Sequence, residues 1–230
     1  MARLPRLAVA GQHHLVLLRG LDHQPIVIDD EDRRRCLASL REAALPLGLA
    51  IHAYALLDDR LRLLVTPREP ADIGRVIQGL GRRYVGIFNR RHGRRGTLWD
   101  GRFRATVVQP GHHALQALLF IDTEPVRQGA VASADEHRWS SAAHHVGRVR
   151  DPLVSPLPDY WQLGNTPFDR ETAWARRLAD GLAEREAKRL AEASHKAWAV
   201  GDAAFLATLA AQADRPVVPR RRGRPAKSTP

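Results

Sequence analysis

The first half of the chain alternates short apolar runs with amphipathic stretches. His14 is followed by four apolar residues, 15–18, which end at Arg19-Gly20, and this pattern predicts a buried strand. Acidic residues then fill positions 29–32, directly before an amphipathic stretch that runs to about Leu47. Because carboxylates are favourable at the positive end of a helix, this arrangement predicts a helix that begins near residue 29.

The next segment has the pattern of a β-hairpin. Residues 49–57 alternate, which would place Ile51, Ala53, Ala55 and Leu57 on one face of a strand. Asp58-Asp59 predicts a tight turn, and the apolar residues after it predict a second strand over 60–65.

Three further elements follow the hairpin. Residues 72–91 carry an apolar stripe at helical spacing, although four glycines weaken the intrinsic preference for helix. Residues 102–108 predict a strand, and 111–124 predict a helix that ends at Pro125. The order β-α-β-β-α-β, followed by a helix, predicts an α+β ferredoxin-like sandwich in which helices back an antiparallel sheet.

The C-terminal third differs in character from the first 150 residues. A Pro-rich connector (151–158) precedes predicted helices over 169–194 and 202–213. The last residues read RRRGRPAKSTP, which cannot form a core and predicts disorder. We therefore divide the chain into a core (1–150), a connector with helical extension (151–218) and a basic tail (219–230).

Composition narrows the classes of protein. No apolar run approaches the length of a membrane span and no signal-peptide pattern is present, so no membrane association is predicted and a cytoplasmic location is the default. A single cysteine, Cys36, excludes an internal disulfide and a thiolate zinc cluster. The net charge of +11 is concentrated in residues 82–104 and in the tail, as expected for a protein that binds a polyanion.

We call residues 82–104 the basic segment. It contains one acid, Asp100, and eight arginines: Arg82, Arg83, Arg90, Arg91, Arg94, Arg95, Arg102 and Arg104. Guanidinium groups fit phosphate oxygens, and interspersed aromatic residues such as Trp99 offer faces on which unpaired bases can stack. A solvated charged surface with a few core aromatics is the alternative, but three glycines that let backbone approach a ligand favour nucleic-acid binding.

Several long motifs resemble one family. The stretches AYALLDDRLRLLVTP, LGRRYVGIFNRRHGRRGTLWDGRFRATVV, FIDTEPVRQGAV and RWSSAAHHVG, together with GDAAFLATLAAQ and RRRGRP, are similar to the REP-associated tyrosine transposases, relatives of the HUH single-strand transposases. The resemblance spans residues 1 to about 225. It implies a mobile-element enzyme that handles single-stranded or hairpin DNA of repetitive extragenic elements.

The resemblance also implies a chemistry. In the family, a His-hydrophobic-His strand binds Mg²⁺ or Mn²⁺, which polarises the scissile phosphate, and a tyrosine on a later helix attacks it. The matching metal-ligand positions here are Arg60 and Arg62, and the nucleophile position, five residues before Pro125, is Phe120. Arginine stays protonated and repels a cation, and phenylalanine has no hydroxyl. The sequence therefore predicts a catalytically inactive copy with no metal site of its own.

Two interpretations of Arg60 and Arg62 remain open. Residues i and i+2 of a strand share a face, so the two guanidinium groups can together hold a DNA phosphate without cleaving it. Alternatively, they are exposed products of drift in a decaying gene. On a helical wheel, Phe120 lies off the core stripe formed by Leu115, Leu118 and Leu119, as expected for a position that faces a site.

Two other functions compete with inactive single-strand binding. An active transposase would need relocated residues, but Tyr84 lies on a core stripe, and neither Tyr54 nor Tyr160 is placed to replace Phe120. A duplex-binding regulator would use the tail, where Arg222 and Arg224 belong to an AT-hook-like sequence suited to the narrow minor groove of A/T-rich DNA. The DNA sequence recognised and the oligomeric state, including a homo-oligomer, are left open.

Overall fold

The computed structural model describes residues 6–219. The strands are β1 (His13–Arg19), β2 (Ala50–Leu57), β3 (Arg60–Thr66) and β4 (Arg104–Val108). The helices are α1 (Asp30–Ala44), α2 (Asp72–Arg91), α3 (His112–Asp122), α4 (Glu124–Arg127), α5 (Ala142–His145), α6 (Pro167–Asp180), α7 (Glu184–Lys196) and α8 (Ala203–Gln212). Among the described residues, no helix is long and apolar enough to cross a membrane.

The four strands form one antiparallel sheet in the order β2-β3-β1-β4. This is the strand order of a ferredoxin-like fold, and it confirms the predicted α+β class and the predicted sequence of elements. The end of β1 lies beside the starts of β3 and β4, because Arg19 pairs with Arg60 and Leu17 pairs with both Arg62 and Arg104. One end of the sheet therefore gathers four arginines, which we call the sheet-end arginines.

Helices cover both faces of the sheet. On one face, alternate strand residues such as Leu18 and Leu63 pack against α1 and α2. On the other face, Leu15 and Leu64 pack against α3, α6 and α7. Since residues i and i+2 share a face, Arg60 and Arg62 lie on the same side as Leu64, toward α3 and α7.

The predicted face of β2 is wrong at its start. A bulge between Ile51 and Ala53 inserts an extra residue opposite β3, and this residue reverses the alternation. Ile51 consequently packs toward α1 and α2, whereas Ala53 and Ala55 pack toward α3.

Two helix boundaries also differ from the prediction. The single helix predicted over 169–194 is two helices, α6 and α7, and Gly181 with φ of 71° follows the first of them. Pro125 does not stop helical structure, since it lies in the first turn of α4, where its missing N–H has no partner to lose.

Two buried histidines are held neutral by their surroundings. His14 donates from Nδ1 to the carbonyl of Gln12 (2.8 Å), and its Nε2 accepts from the backbone N–H of Val9 (3.1 Å). His52 lies within 2.8 Å of the Thr66 hydroxyl and 3.1 Å of the Ser155 carbonyl. Burial lowers the pKa of each imidazole to about 4.

We expect the protein to lose stability as the pH falls from about 6.5 to about 4. In this window the unfolded chain takes up protons at His14 and His52 that the folded chain excludes, so acid favours unfolding. Each histidine should contribute on the order of 3 kcal/mol to the loss. Urea unfolding at several pH values measures the free energy of unfolding. In His52→Gln, the slope of this free energy against pH should correspond to about one proton fewer than in the wild type. A slope that does not change in His52→Gln would contradict the assignment.

Candidate functional site

Arg62, at one of the two positions where the family resemblance implies a metal ligand, belongs to a buried ion pair. Arg62 is 5% exposed and donates from Nε and Nη2 to the two carboxylate oxygens of Glu124, at 2.5 and 2.9 Å. Its Nη1 donates to the hydroxyl of Ser194 at 2.9 Å. Glu124 is 1% exposed, so both charges are removed from water and depend on each other.

Arg60 lies at the rim of this pair. Its Nη1 is 3.7 Å from Glu124 Oε1, and its guanidinium forms a two-pronged contact with Asp59 at 2.7 and 2.9 Å. Arg60 is half-buried, and the two carboxylates beside it balance the charges of Arg60 and Arg62.

Phe120 completes the cluster. Its ring is 2% exposed and lies between two guanidinium groups, with Arg62 Cζ 4.8 Å and Arg127 Cζ 4.3 Å from the ring centre. Arg127 donates to the Phe120 carbonyl at 2.5 Å and to the Thr123 hydroxyl. Burial lowers the pKa of Arg127 to about 10, which leaves it cationic at neutral pH. The structure thus brings Arg60, Arg62 and Phe120 together.

Helix α7 lies over Arg62. Ser194 is fully buried, and the adjacent Ala193 carbonyl accepts from the Thr106 hydroxyl of β4 at 3.0 Å. The hypothesis that Arg62 holds a DNA phosphate therefore does not fit this arrangement, because its donors are used by Glu124 and Ser194 and its side chain is closed to solvent.

The residues present do not fit the Mg²⁺ or Mn²⁺ that the family resemblance implies. Guanidinium groups have no lone pair to offer a metal, and the carboxylate that faces them, Glu124, is engaged by Arg62. Among residues 6–219, no three His, Cys, Asp or Glu side chains are grouped as metal ligands.

The other two sheet-end arginines differ from Arg62. Arg19 and Arg104 are half-buried, and neither has a carboxylate within 4 Å among the described residues. Arg19 Nη1 donates to His195 Nε2 at 2.8 Å, so the imidazole serves as a neutral acceptor. Partial burial, followed by the charges of Arg104 and Arg19, lowers the pKa of His195. Arg19 and Arg104 therefore add positive charge to this end of the sheet without forming an ion pair among the described residues.

The basic segment lies at the same end of the sheet. Its loop runs beside the end of β1, where Trp99 forms a bridge with Gly20 and the N–H of Asp100 donates to the Arg19 carbonyl at 2.8 Å. Four arginines of the segment are exposed and have no carboxylate partner among the described residues: Arg82, Arg90, Arg95 and Arg102.

Three other arginines of the basic segment that were predicted to contact DNA have partners within the protein. Arg91 pairs with Asp29 at 2.9 Å and with the buried Asp32, which ties the end of α2 to the start of α1. Arg83 lies 3.3 Å from Glu42. Arg94 is half-buried and donates weakly to the Pro25 carbonyl at 3.4 Å. These arginines are less available to a phosphate than the four exposed ones.

The aromatic residues of the basic segment lie mostly in the core. Tyr84 and Phe88 are fully buried, which removes them as stacking surfaces. Trp99 is half-buried against the core of α1 and α2, and its indole N–H has no hydrogen-bond partner among the described residues. Trp99 thus offers at most part of one ring face to a base.

No tyrosine hydroxyl is placed as a nucleophile. The hydroxyl of Tyr84 donates to the Ile26 carbonyl at 2.6 Å, that of Tyr54 to Asp151 at 2.6 Å, and that of Tyr160 to the His145 carbonyl at 2.5 Å. Burial raises the pKa of all three phenols.

Sequence patterns missed three members of the cluster: Glu124, Arg127 and Ser194. Glu124 follows Phe120 by four residues, one helical turn, and this spacing places it on the same side of the chain. Ser194 comes from a helix seventy residues later, and no local pattern points to it. The two tail residues assigned to duplex DNA, Arg222 and Arg224, lie outside the described residues.

A solved structure with a similar fold supports the architecture described above. No family model and no curated protein matches the chain. The solved structure of a REP-associated tyrosine transposase bound to a REP hairpin superposes with a TM-score of 0.55 and 14% identity, over 69% of this chain and 93% of that one. A proposed transposase from Deinococcus radiodurans has a TM-score of 0.36 and 21% identity, over 56% and 92%. The resemblance seen in the motifs is thereby confirmed as one of fold, and the chain has the fold of a REP-associated tyrosine transposase.

Proposed function

We propose that this chain is a transposase-family protein that binds single-stranded or hairpin DNA of repetitive extragenic elements and neither cuts nor joins it. The observation that carries the proposal is the buried Arg62–Glu124 pair packed against Phe120. If these positions match those of the family, metal coordination and nucleophilic attack would need lone pairs and a hydroxyl there, and a salt-bridged guanidinium and a phenyl ring supply neither.

Retained DNA binding is supported by charge. The four exposed arginines of the basic segment can contact phosphates along a strand, and the half-buried Arg19 and Arg104 provide charge near the covered site. The solved neighbour with the same fold is bound to a REP hairpin. Binding in this way needs no bond to form or break, so the intact family chemistry is not required.

An adduct gel tests both halves of the proposal. Fluorescent hairpin oligonucleotides from the surroundings of the gene are mixed with the protein and Mg²⁺ or Mn²⁺, and native and denaturing lanes are compared. We expect a shifted band only in the native lane. A band that survives denaturation, or a cut oligonucleotide, would show that an active centre has been rebuilt elsewhere.

Removing the exposed arginines should weaken binding and reduce its salt dependence. In a variant with four substitutions to alanine, at Arg82, Arg90, Arg95 and Arg102, we expect the slope of log affinity against log salt to decrease by about three, since each lost phosphate contact removes roughly 0.7–0.9. Filter binding at several salt concentrations measures the slope. The matched control loses the same charge from other exposed positions, Arg41, Arg176, Arg177 and Arg185. An equal decrease of the slope in both variants would show that binding depends only on the net charge of the protein and not on the basic segment.

The tail is tested separately. Deletion of residues 219–230 should lower affinity for A/T-rich duplex DNA more than affinity for a hairpin, if the tail enters the minor groove. Affinities for duplex, hairpin and single-stranded oligonucleotides are compared at matched salt. Preferential loss of hairpin binding would instead make the tail part of the main interface.

A further inference from the structure

A second surface suited to nucleic acid lies outside the basic segment. A cleft of about 600 Å³ opens beside β2, at the edge of the sheet opposite β4, where the Ser155 N–H donates to the Ile51 carbonyl at 2.7 Å. Its walls come from residues 144–157 and from the start of the helical extension, including Tyr160, Trp161 and Arg170. The described DNA-binding arginines and the Arg62 cluster are not part of it.

Trp161 is the main feature of this cleft. Its side chain is 58% exposed although it is large and apolar. Arg170 Cζ lies 4.6 Å from the ring centre and covers one face, so the exposed area belongs mainly to the other face and the edges. Val149 lines the same cleft at 55% exposure. Burying such surface only on binding a ligand would explain why it is left in water.

The charges of the cleft favour a polyanion. Arg148, Arg150 and Arg170 line it, with Glu171 as the one carboxylate among the lining residues. Arg148 is engaged by Asp135 at 2.6 Å, whereas Arg150 is exposed and has no ion-pair partner within the described part of the chain. A flat ring and a guanidinium without an ion-pair partner in one cleft match a base and its phosphate.

We infer that this cleft binds an unpaired nucleotide of single-stranded DNA, with the base stacked on the open face of Trp161 and a phosphate beside Arg150. The inference rests on the proposed DNA-binding function and adds a second contact to it. A hairpin held at the basic segment would then engage the cleft through a single-stranded tail. The chemistry is non-covalent, and it recognises a base face and a phosphate without reading sequence.

The test compares a bare hairpin with the same hairpin carrying a single-stranded thymine tail, by fluorescence anisotropy of labelled DNA. Trp161→Ala should weaken binding of the tailed hairpin about tenfold, because removing one stacking ring costs that order of affinity. Its affinity for the bare hairpin should equal that of the wild type. Trp161→Phe should keep most of the tail's contribution. Thermal unfolding of each variant checks that the fold is retained.

Two further experiments measure separately what the Trp161 ring and the Arg150 charge contribute to binding. A tail of abasic sites keeps its phosphates and should bind the wild type as weakly as the thymine tail binds Trp161→Ala. Arg150→Ala should weaken binding of both tails, whereas Arg176→Ala removes the same charge from an exposed position on α6 outside the cleft and should change neither.

The outcomes distinguish this inference from the proposed function. If the bare hairpin binds but Trp161→Ala matches the wild type on the tailed hairpin, the cleft assignment is wrong and the proposed function stands. If the bare hairpin does not bind the wild type, the proposed function fails at the basic segment. In that case, single-stranded DNA without a hairpin tests the cleft assignment. The assignment is wrong if this DNA binds the wild type and Trp161→Ala with equal affinity, or if it binds neither protein.

Discussion

Glu124→Gln is expected to lower the free energy of unfolding by about 3–5 kcal/mol, the typical cost of leaving one member of a buried ion pair without its partner. The substitution keeps the shape of the side chain and removes its charge. Arg62 would then remain 5% exposed, with Arg60 nearby and no carboxylate to balance it. Urea unfolding at neutral pH measures the loss.

The control is an exposed ion pair on α7. Glu192 lies 4.0 Å from Lys196, and both side chains are well exposed. Glu192→Gln should change the free energy of unfolding by less than about 0.5 kcal/mol, because solvent screens exposed pairs. Similar losses in Glu124→Gln and Glu192→Gln would show that the Arg62 cluster is wetter and weaker than its burial indicates.

A double substitution separates the charge from the packing. Replacing Arg62 and Glu124 together by methionine removes both charges and retains apolar bulk, and such exchanges are often neutral or stabilising. We expect the double variant to be more stable than Glu124→Gln by several kcal/mol, with a large coupling energy in the mutant cycle. That result would mean that the ion pair specifies the local arrangement of side chains and adds little to stability.

The elements of the fold could be predicted because their signals are local. The apolar run before Arg19, the acidic cap of α1 and the turn at Asp58-Asp59 each depend on a few neighbouring residues. The bulge after Ile51 could not be predicted, since it depends on how β2 registers against β3. A single inserted residue reverses the face of everything before it.

The candidate site shows the same division. The sequence alone singles out Arg60, Arg62 and Phe120 through the family resemblance, and strand geometry places both arginines on one face. The hydrogen-bond partners of Arg62 are Glu124 and Ser194 of α7, and only tertiary packing brings these residues next to it. The basic segment likewise looks uniform in sequence, yet Arg91 is held by Asp29 and Asp32 while Arg95 is exposed with no described carboxylate partner.

Placing histidine at positions 60 and 62 should create a divalent metal site. In Arg60→His/Arg62→His, the two imidazoles would face the Glu124 carboxylate, a set of nitrogen and oxygen donors suited to Mn²⁺. Without metal, we expect this variant to be less stable than the wild type, because Glu124 loses its partner. With Mn²⁺ at a hundredfold excess over its dissociation constant, stability should rise by about 2.7 kcal/mol, or roughly 5–10 °C in Tm.

Three controls make the metal result specific. The wild type should show no rise in Tm with Mn²⁺, since its guanidinium groups cannot ligate. Adding Glu124→Gln to the double variant should abolish most of the rise. Arg176→His/Arg177→His places two histidines on the exposed side of α6 and should respond weakly, because adjacent helical residues diverge. A rise in all variants would reflect non-specific binding.

Adding Phe120→Tyr then tests the chemistry. The new hydroxyl would extend from a ring whose centre lies 4.8 Å from Arg62 Cζ, which would place a nucleophile near the side chains that would hold the metal. A bound metal would supply polarisation of a phosphate once DNA reaches the site. We expect the triple variant to form a denaturation-resistant adduct with single-stranded DNA in Mn²⁺, and the double variant without the tyrosine to form none. Metal binding without an adduct would show that the metal ligands are correctly placed but that DNA does not reach the site. Ser194 of α7, which covers residue 62, would then be the obstacle. Absence of metal binding would show that histidines at positions 60 and 62 and the Glu124 carboxylate do not form a metal site in this fold.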